Sequence, residues 1–220
     1  LQRKVLDRSN ISLIFINKQK LNSTLINPSE NNFNRNLGLE YNYFSEDNLW
    51  NGKLLFLQSY SPLEANQGNV FASHFGYQST RWNWRIQQEY VSGNYSAEVG
   101  FIPRNNYIKL ETRGGHLVYT QKETPLLSHG PSVERTYYFD TSFEKNDQTT
   151  EFNYLFNFKN RSRFSLGFQN QFIQLLSDFD PLRTGIAELK KGTEHRWNSI
   201  TLSYDSKPQN RCTYSIEALT

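Results

Sequence analysis

Between Thr150 and Gln171 apolar and polar side chains alternate almost one for one, and that period leaves the chain little choice but β-structure. Phe152, Tyr154, Phe156 and Phe158 hold one set of positions, and Glu151, Asn153 and Asn157 the other. A helix, with its 3.6-residue repeat, would scatter these rings around its axis; a strand collects them on one side. Beyond the polar tract Lys159–Ser162 the pattern resumes, with Phe164, Leu166 and Phe168 opposite Arg163, Ser165, Gly167 and Gln169. Two such runs joined by a short polar tract predict a hairpin.

The same rhythm recurs along the chain. Ile11 to Asn17 reads as a strongly apolar strand, followed by an Asn- and Ser-rich loop over Asn22–Asn34. A strand from Leu37 to Phe44 ends at the polar turn Ser45–Asn48, and Trp50 to Tyr60 returns. Ser61-Pro62 stops it, because proline cannot donate to a central ladder. Val70 to Gln78 and Trp82 to Val91 form the next hairpin across Ser79-Thr80. In its second arm Trp82, Trp84 and Ile86 share a face opposite Asn83, Arg85, Gln87 and Glu89, a side that wants water. Ser92 to Asn106, with Gly93, Gly100 and Pro103, reads as a structured loop.

Tyr107 to Gln121 is strand-like but carries Gly114-Gly115, either a two-residue hairpin turn or a bulge in one long strand; the bulge is the preferred reading. Thr124–Ser132, with Pro125, Gly130 and Pro131, is expected to be a loop, and Val133 to Phe143 a strand. Lys145–Gln148 is expected to turn the chain. Ser177–Gly192 is long and irregular, Trp197 to Tyr204 alternates again, and Asp205–Asn210 leads to a last arm over Arg211–Leu219. The total is about eleven or twelve strands and no helix. Up to Asn106 long and short connections alternate, as extracellular loops and periplasmic turns do.

Hydrophobic residues make up 36% of the 220 and aromatic residues 15%, with a mean hydropathy of −0.72. A soluble core needs more Leu, Ile and Val than this, whereas a barrel with a wet interior needs apolar residues on its outer face only. No apolar run approaches the roughly 20 residues of a membrane helix, so a membrane reading must be a β reading. Rings near strand ends, among them Trp50, Tyr60, Trp82, Tyr90, Phe143, Trp197 and Tyr204, resemble interfacial girdles. The expected fold is all-β: an antiparallel up-and-down transmembrane β-barrel, with residues 1–220 forming part of a larger barrel. The sequence has no Met and no charged-then-apolar leader at Leu1–Ile16, which reads as a processed or excised piece.

A single cysteine, Cys212, excludes an internal disulfide framework. The net charge of +3 comes from scattered Lys and Arg, so no nucleic-acid partner is expected. His74, His116, His129 and His195 have no metal-ligand spacing, and neither a metal nor a cofactor is expected. Ser128-His129 and Glu194-His195 are the two candidates for a hydrolytic site near a barrel rim. Asp178, Asp180 and Glu188 could hold a hard cation, against the commoner reading of a solvated acidic loop.

At Tyr95-Ser96-Ala97-Glu98-Val99-Gly100-Phe101-Ile102-Pro103-Arg104 the chain resembles a family of large Gram-negative outer-membrane barrels of unknown function. In these a carbohydrate-binding-type domain of family nine typically precedes the barrel. Asp7–Ile11, Asn34–Glu40 with Ser59–Pro62, and Phe179–Pro181 through Gly192 to Ser206 also fit, so the resemblance spans nearly the whole chain; Gly192-Thr193-Glu194-His195 departs from it. It implies an outer-membrane location, lipid surroundings, and a channel or scaffold role toward a solute, a glycan or a partner protein. The signal peptide and sugar-binding-type domain would lie outside this piece.

Glu98 and Arg104, flanking Gly100 and Pro103, suit a loop folded into a polar interior. There they could pair with each other or with Arg85 and Glu89. These four are the candidate binding residues. The loop would act as a constriction or serve as a structural corner. A membrane-embedded hydrolase and a soluble β-sandwich binding domain are the alternatives.

Overall fold

The computed structural model describes residues 1–21, 32–62, 67–100, 102, 104–121, 123–185, 188–209 and 212–220. Every regular element among them is a strand. The strands are β1 Gln2–Val5, β2 Ser9–Gln19, β3 Phe33–Phe44, β4 Trp50–Tyr60, β5 Gly68–Gln78, β6 Trp82–Val91, β7 Tyr107–His116, β8 Val118–Tyr119, β9 Leu126–Phe139, β10 Lys145–Phe158, β11 Arg163–Gln174, β12 Glu194–Asp205 and β13 Ser215–Leu219. They hydrogen-bond in sequence order, with β8 attached to β9. The fold is therefore all-β, antiparallel and up-and-down. β1 and β13 each have one neighbour, so the sheet is not closed among the described residues. No helix is long and apolar enough to cross a membrane, which says nothing of strands.

Successive strands run antiparallel, so the connections fall alternately on two sides. On one side lie 20–32, 61–67, 92–106, 140–144 and 175–193; on the other lie 6–8, 45–49, 79–81, 120–125, 159–162 and 206–214. The first set holds the three longest, 20–32, 92–106 and 175–193, but also the short 140–144, and 206–214 in the second set is longer than 61–67.

The chain divides into two compact units, Leu1–Tyr77 with Ile86–Leu110 and Phe139–Glu144, and Gln78–Arg85 with Glu111–Tyr138 and Lys145–Thr220. In the first, the register aligns Leu13, Leu39, Phe56 and Phe71 in a row across β2 to β5. That row is exposed, Leu39 at 51% and Phe56 at 44%. On the opposite face Asn36 is 6% exposed and its cross-strand partner Ser59 3%. This polar face is also knitted together: Lys53 pairs with Glu40, and Asn42 donates to Asn10 at 3.1 Å and to Glu40 at 2.6 Å. Trp50 stacks on Phe75 at 5.4 Å and meets Tyr77 edge-on at 4.9 Å beside the short turns 45–49 and 79–81.

The second unit repeats the arrangement. Phe152, Phe168 and Ile200 form one exposed row, and half-buried Phe156, Phe164 and Tyr204 with exposed Ile216 form another on the same face. On the opposite face Gln169 donates to Glu151 at 2.8 Å, Ser165 and Ser203 lie 2.6 Å apart, and Arg113 bonds Glu134 at 2.6 Å. The predicted hairpin forms as expected. Its turn is closed by Asn160 Oδ1, which accepts from the backbone and hydroxyl of Ser162, with Arg161 left-handed at φ 69°.

Several boundaries differ from expectation. Among the described residues there are thirteen strands rather than eleven or twelve, because β1 and the two-residue β8 carry no alternation long enough to read. Lys145–Gln148 belongs to β10, and the chain turns at 140–144 instead. Asp140 Oδ1 accepts from the backbone of Ser142 and Glu144 while Phe143 takes φ 65°, so a side-chain-closed turn forms one step earlier.

The loop expected over Thr124–Ser132 is mostly strand, since β9 begins at Leu126. Gly114 and Gly115 lie inside β7 and neither has a positive φ, so no two-residue turn forms there. The interruption falls at Leu117, and pairing resumes at Val118 with His129. Gly130 sits opposite that gap: a Cβ on it would fall on the His116 carbonyl oxygen. Pro131 follows where the ladder is already broken, the place where a strand tolerates proline.

Gly130→Ala should therefore force backbone apart and destabilise by about 1–3 kcal/mol. Gly114→Ala, where nothing lies within 4 Å of the added Cβ, should be neutral or stabilising by up to about 1 kcal/mol. Urea unfolding followed by tryptophan fluorescence separates the two.

Candidate functional site

The polar face of the first unit carries the segment 92–106, which joins β6 to β7. β3 places Asn34 and Asn36 on this face by simple alternation, and β4 places Ser59 opposite Asn36. Asn34 is 1% exposed. Its amide donates to the carbonyl of Ser96 at 3.1 Å, and its Oδ1 accepts from the Glu98 backbone at 3.2 Å and from Asn36 at 2.7 Å. Ser59 Oγ accepts from the Ser96 backbone at 3.1 Å. One buried amide thus serves the segment as a peptide unit of a neighbouring strand would, taking a C=O and an N–H on either side of Ala97.

Two more ties anchor the entry to the segment. Ser92 Oγ accepts from the Asn69 backbone at 2.8 Å, and the Ser92 backbone donates to the Asn69 carbonyl at 2.9 Å. Tyr95 is buried at 5%, and Asn105 donates to its carbonyl at 2.8 Å. Tyr95 presses so closely on Gly68 that a Cβ there would fall on its Cα and backbone nitrogen. Glycine at the start of β5 is what lets the segment lie flat on the sheet.

Three of the four candidate residues, Glu89, Glu98 and Arg104, belong to the first unit. Glu98 is held by Lys18 of β2 at 2.6 Å. Arg104 lies over the ring of Tyr107 at 5.7 Å, and the Tyr107 hydroxyl donates to Glu89 at 2.7 Å. Arg104, Tyr107 and Glu89 therefore form a relay at the root of the segment. Arg85 is exposed and belongs to the second unit. Phe101 and Pro103, two residues of the segment that carries the family resemblance, lie outside the described residues, as does most of the Asn22–Asn34 loop.

The sequence reading missed Asn34, Ser59 and Lys18. The available signal was Asn34 and Asn36 two apart at the start of an alternating strand, an amide pair on one face that needs water or a polar partner.

The hydrolytic candidates do not assemble. Ser128 and His129 are successive residues of one strand and face opposite ways: Ser128 Oγ accepts from Asn157 at 3.1 Å, and His129 Nδ1 lies 2.6 Å from the Tyr154 hydroxyl. Glu194 meets Arg196 at 3.3 Å, and His195 Nε2 meets Thr193 Oγ1 at 3.1 Å.

The acidic residues of 175–193 are held by the loop itself. Asp178 accepts from the Lys191 backbone at 2.8 Å and from Lys190 at 3.0 Å, Glu188 pairs with Lys190 at 2.9 Å, and Asp180 accepts from Gly185 and Leu182. The bond from the Lys191 backbone, followed by Lys190, lowers the pKa of Asp178, and the bond from Gly185 lowers that of Asp180. Among the described residues no group of three or more His, Cys, Asp or Glu is placed to hold a metal ion.

Compared with protein-family models, curated proteins and solved structures, the chain matches none.

Two outcomes follow from this geometry. Asn34→Ala should cost about 1–3 kcal/mol, because it strands the Ser96 carbonyl and the Glu98 N–H under cover. It should also open 92–100 to protease. Lys18→Gln should leave the segment protected, since its half-exposed ion pair is worth at most about 1 kcal/mol. In the 175–193 loop the carboxyls of Asp178 and Asp180 should titrate below the ordinary 3.8. Their hold on the loop is then complete above that pH and lost as pH falls through the lowered folded values, which carboxyl-carbon NMR reads directly.

Proposed function

We propose that the chain is part of a Gram-negative outer-membrane β-barrel, with its ringed face against lipid and its polar face lining an aqueous interior narrowed by 92–106. It would serve as a channel or scaffold for a solute, a glycan or a partner protein at the cell surface. The observation that carries this reading is the inversion of burial. Large apolar residues such as Leu39, Phe56, Phe168 and Ile200 are exposed, while Asn34, Asn36, Ser59 and Ser128 are buried. In water, contiguous apolar rows of this extent would seek a cover or aggregate; in hydrocarbon they need none.

Strand length supports the same reading, because β2 to β7 and β9 to β12 run 10–14 residues, enough to cross a bilayer at about 45°. The side that carries the long connections 20–32, 92–106 and 175–193, together with 61–67 and 140–144, then faces the outside, and the side of 45–49, 79–81 and 159–162 the periplasm. The 92–106 segment belongs to the long set and folds back onto the polar face, where its size and its Glu98–Lys18 pair would set what passes.

The full-length protein should fractionate with the outer membrane and require detergent to stay monodisperse. Phe168→Arg, on the apolar face, should destabilise it in lipid by about 2–4 kcal/mol, whereas Gln169→Arg on the polar face should change little. A full-length protein that stays monomeric in plain buffer and tolerates both substitutions equally would return the soluble sandwich to first place.

A further inference from the structure

Where the apolar rows of β10, β11 and β12 end toward the long connections, the next row on the same face is Thr150, Asn170 and Asn198. Asn170 donates to Asn198 at 2.7 Å, and Arg135 of β9 donates to Thr150 at 3.2 Å, so the row carries amides, a hydroxyl and a guanidinium. One row further lie Gln148, Phe172 and Arg196. Arg196 stands over the Phe172 ring at 4.9 Å. Lys145, drawn to the same face by its 3.1 Å bond to Gln148, stands over that ring at 4.5 Å. Three cations are thus gathered immediately above Phe152, Phe168 and Ile200, each more than 40% exposed. Beside them Glu194 lies 3.3 Å from Arg196.

We propose that this patch is a binding site for an anionic, phosphorylated lipid of the outer leaflet. This rests on the barrel reading. Arg135, Lys145 and Arg196 would take the phosphate, Thr150, Asn170 and Asn198 would hydrogen-bond its hydroxylated headgroup, and acyl chains would lie along the ringed rows below. The stacking order on one face selects a lipid over a soluble anion. Cations with hydrogen-bond donors sit at headgroup height, and the apolar surface starts one or two rows beneath them, so charge and hydrocarbon complementarity coincide only for a molecule that has both. Phe172, 6% exposed between the Lys145 and Arg196 side chains, fixes the spacing of two of the three charges by cation–π contact.

The experiment is native mass spectrometry of the full-length protein in micelles titrated with phosphatidylglycerol or, separately, phosphatidylcholine. The wild type should retain the anionic lipid at least tenfold better, with the preference weakening as salt rises. Each of Arg135→Gln, Lys145→Gln and Arg196→Gln should weaken anionic-lipid retention roughly fivefold, while Arg135→Lys with Arg196→Lys should keep most of it and so serve as the folding control. Millimolar inorganic phosphate should not compete. Equal retention of the two lipids by a protein that still needs detergent would overturn the lipid site and leave the barrel standing. Displacement by inorganic phosphate would overturn it in favour of a soluble-anion site. A full-length protein monodisperse without detergent would remove the barrel reading, and the lipid site with it.

Discussion

Everything in this sheet depends on where its side-chain amides and hydroxyls find partners. Backbone groups are satisfied by neighbouring strands, so the face that leaves water is decided by side chains alone. The buried face is the polar one, and burying an amide without a bond costs more than the bond returns. Asn34, Asn36 and Ser59 are therefore arranged to bond one another's neighbours and the backbone of Ser96 and Glu98. The same rule governs the second unit, where Asn157 bonds Ser128 and Gln169 bonds Glu151. A sheet built this way uses many of its polar side chains on itself, and its other face is left with exposed Leu, Ile and Phe.

That division explains why the 92–106 segment folds back. An amide row with no layer above it would be served by water; with the segment in place the row is shielded, and Asn34 becomes 1% exposed. The segment contributes backbone groups to these bonds, and the Lys18–Glu98 ion pair lies where both partners keep contact with solvent. Specificity of docking thus comes from an amide meeting a peptide.

Much of the fold was legible because rings are unambiguous at period two. The hairpin through Phe152 and Phe164, the face shared by Trp82, Trp84 and Ile86, and the passage of one strand through Gly114-Gly115 could all be read from spacing. The errors have a common origin in local signals overridden by pairing. Gly130 and Pro131 look like loop, yet they are strand because the partner is interrupted at Leu117, a contact between distant residues. The candidate site was half legible. Glycines and a proline marked 92–106 as structured, but nothing local told that Glu98 would meet Lys18, or that Arg104 would stand over Tyr107 whose hydroxyl reaches Glu89. These are partners chosen by register, and register depends on turns that alternation alone does not fix.

The glycines join these threads. Gly68 admits Tyr95 against the sheet, and Gly130 admits the His116 carbonyl; each stands where a second stretch of backbone must come nearer than any Cβ allows. The first of these approaches brings the 92–106 segment onto the polar face, and the second lets β9 run on past a broken partner strand. Because β9 continues, Arg135 is carried to the same height as Thr150, and the cations of the second unit gather at one end of the apolar rows rather than being scattered along a loop. A glycine on one strand therefore helps set where charge stands on the apolar face several residues away.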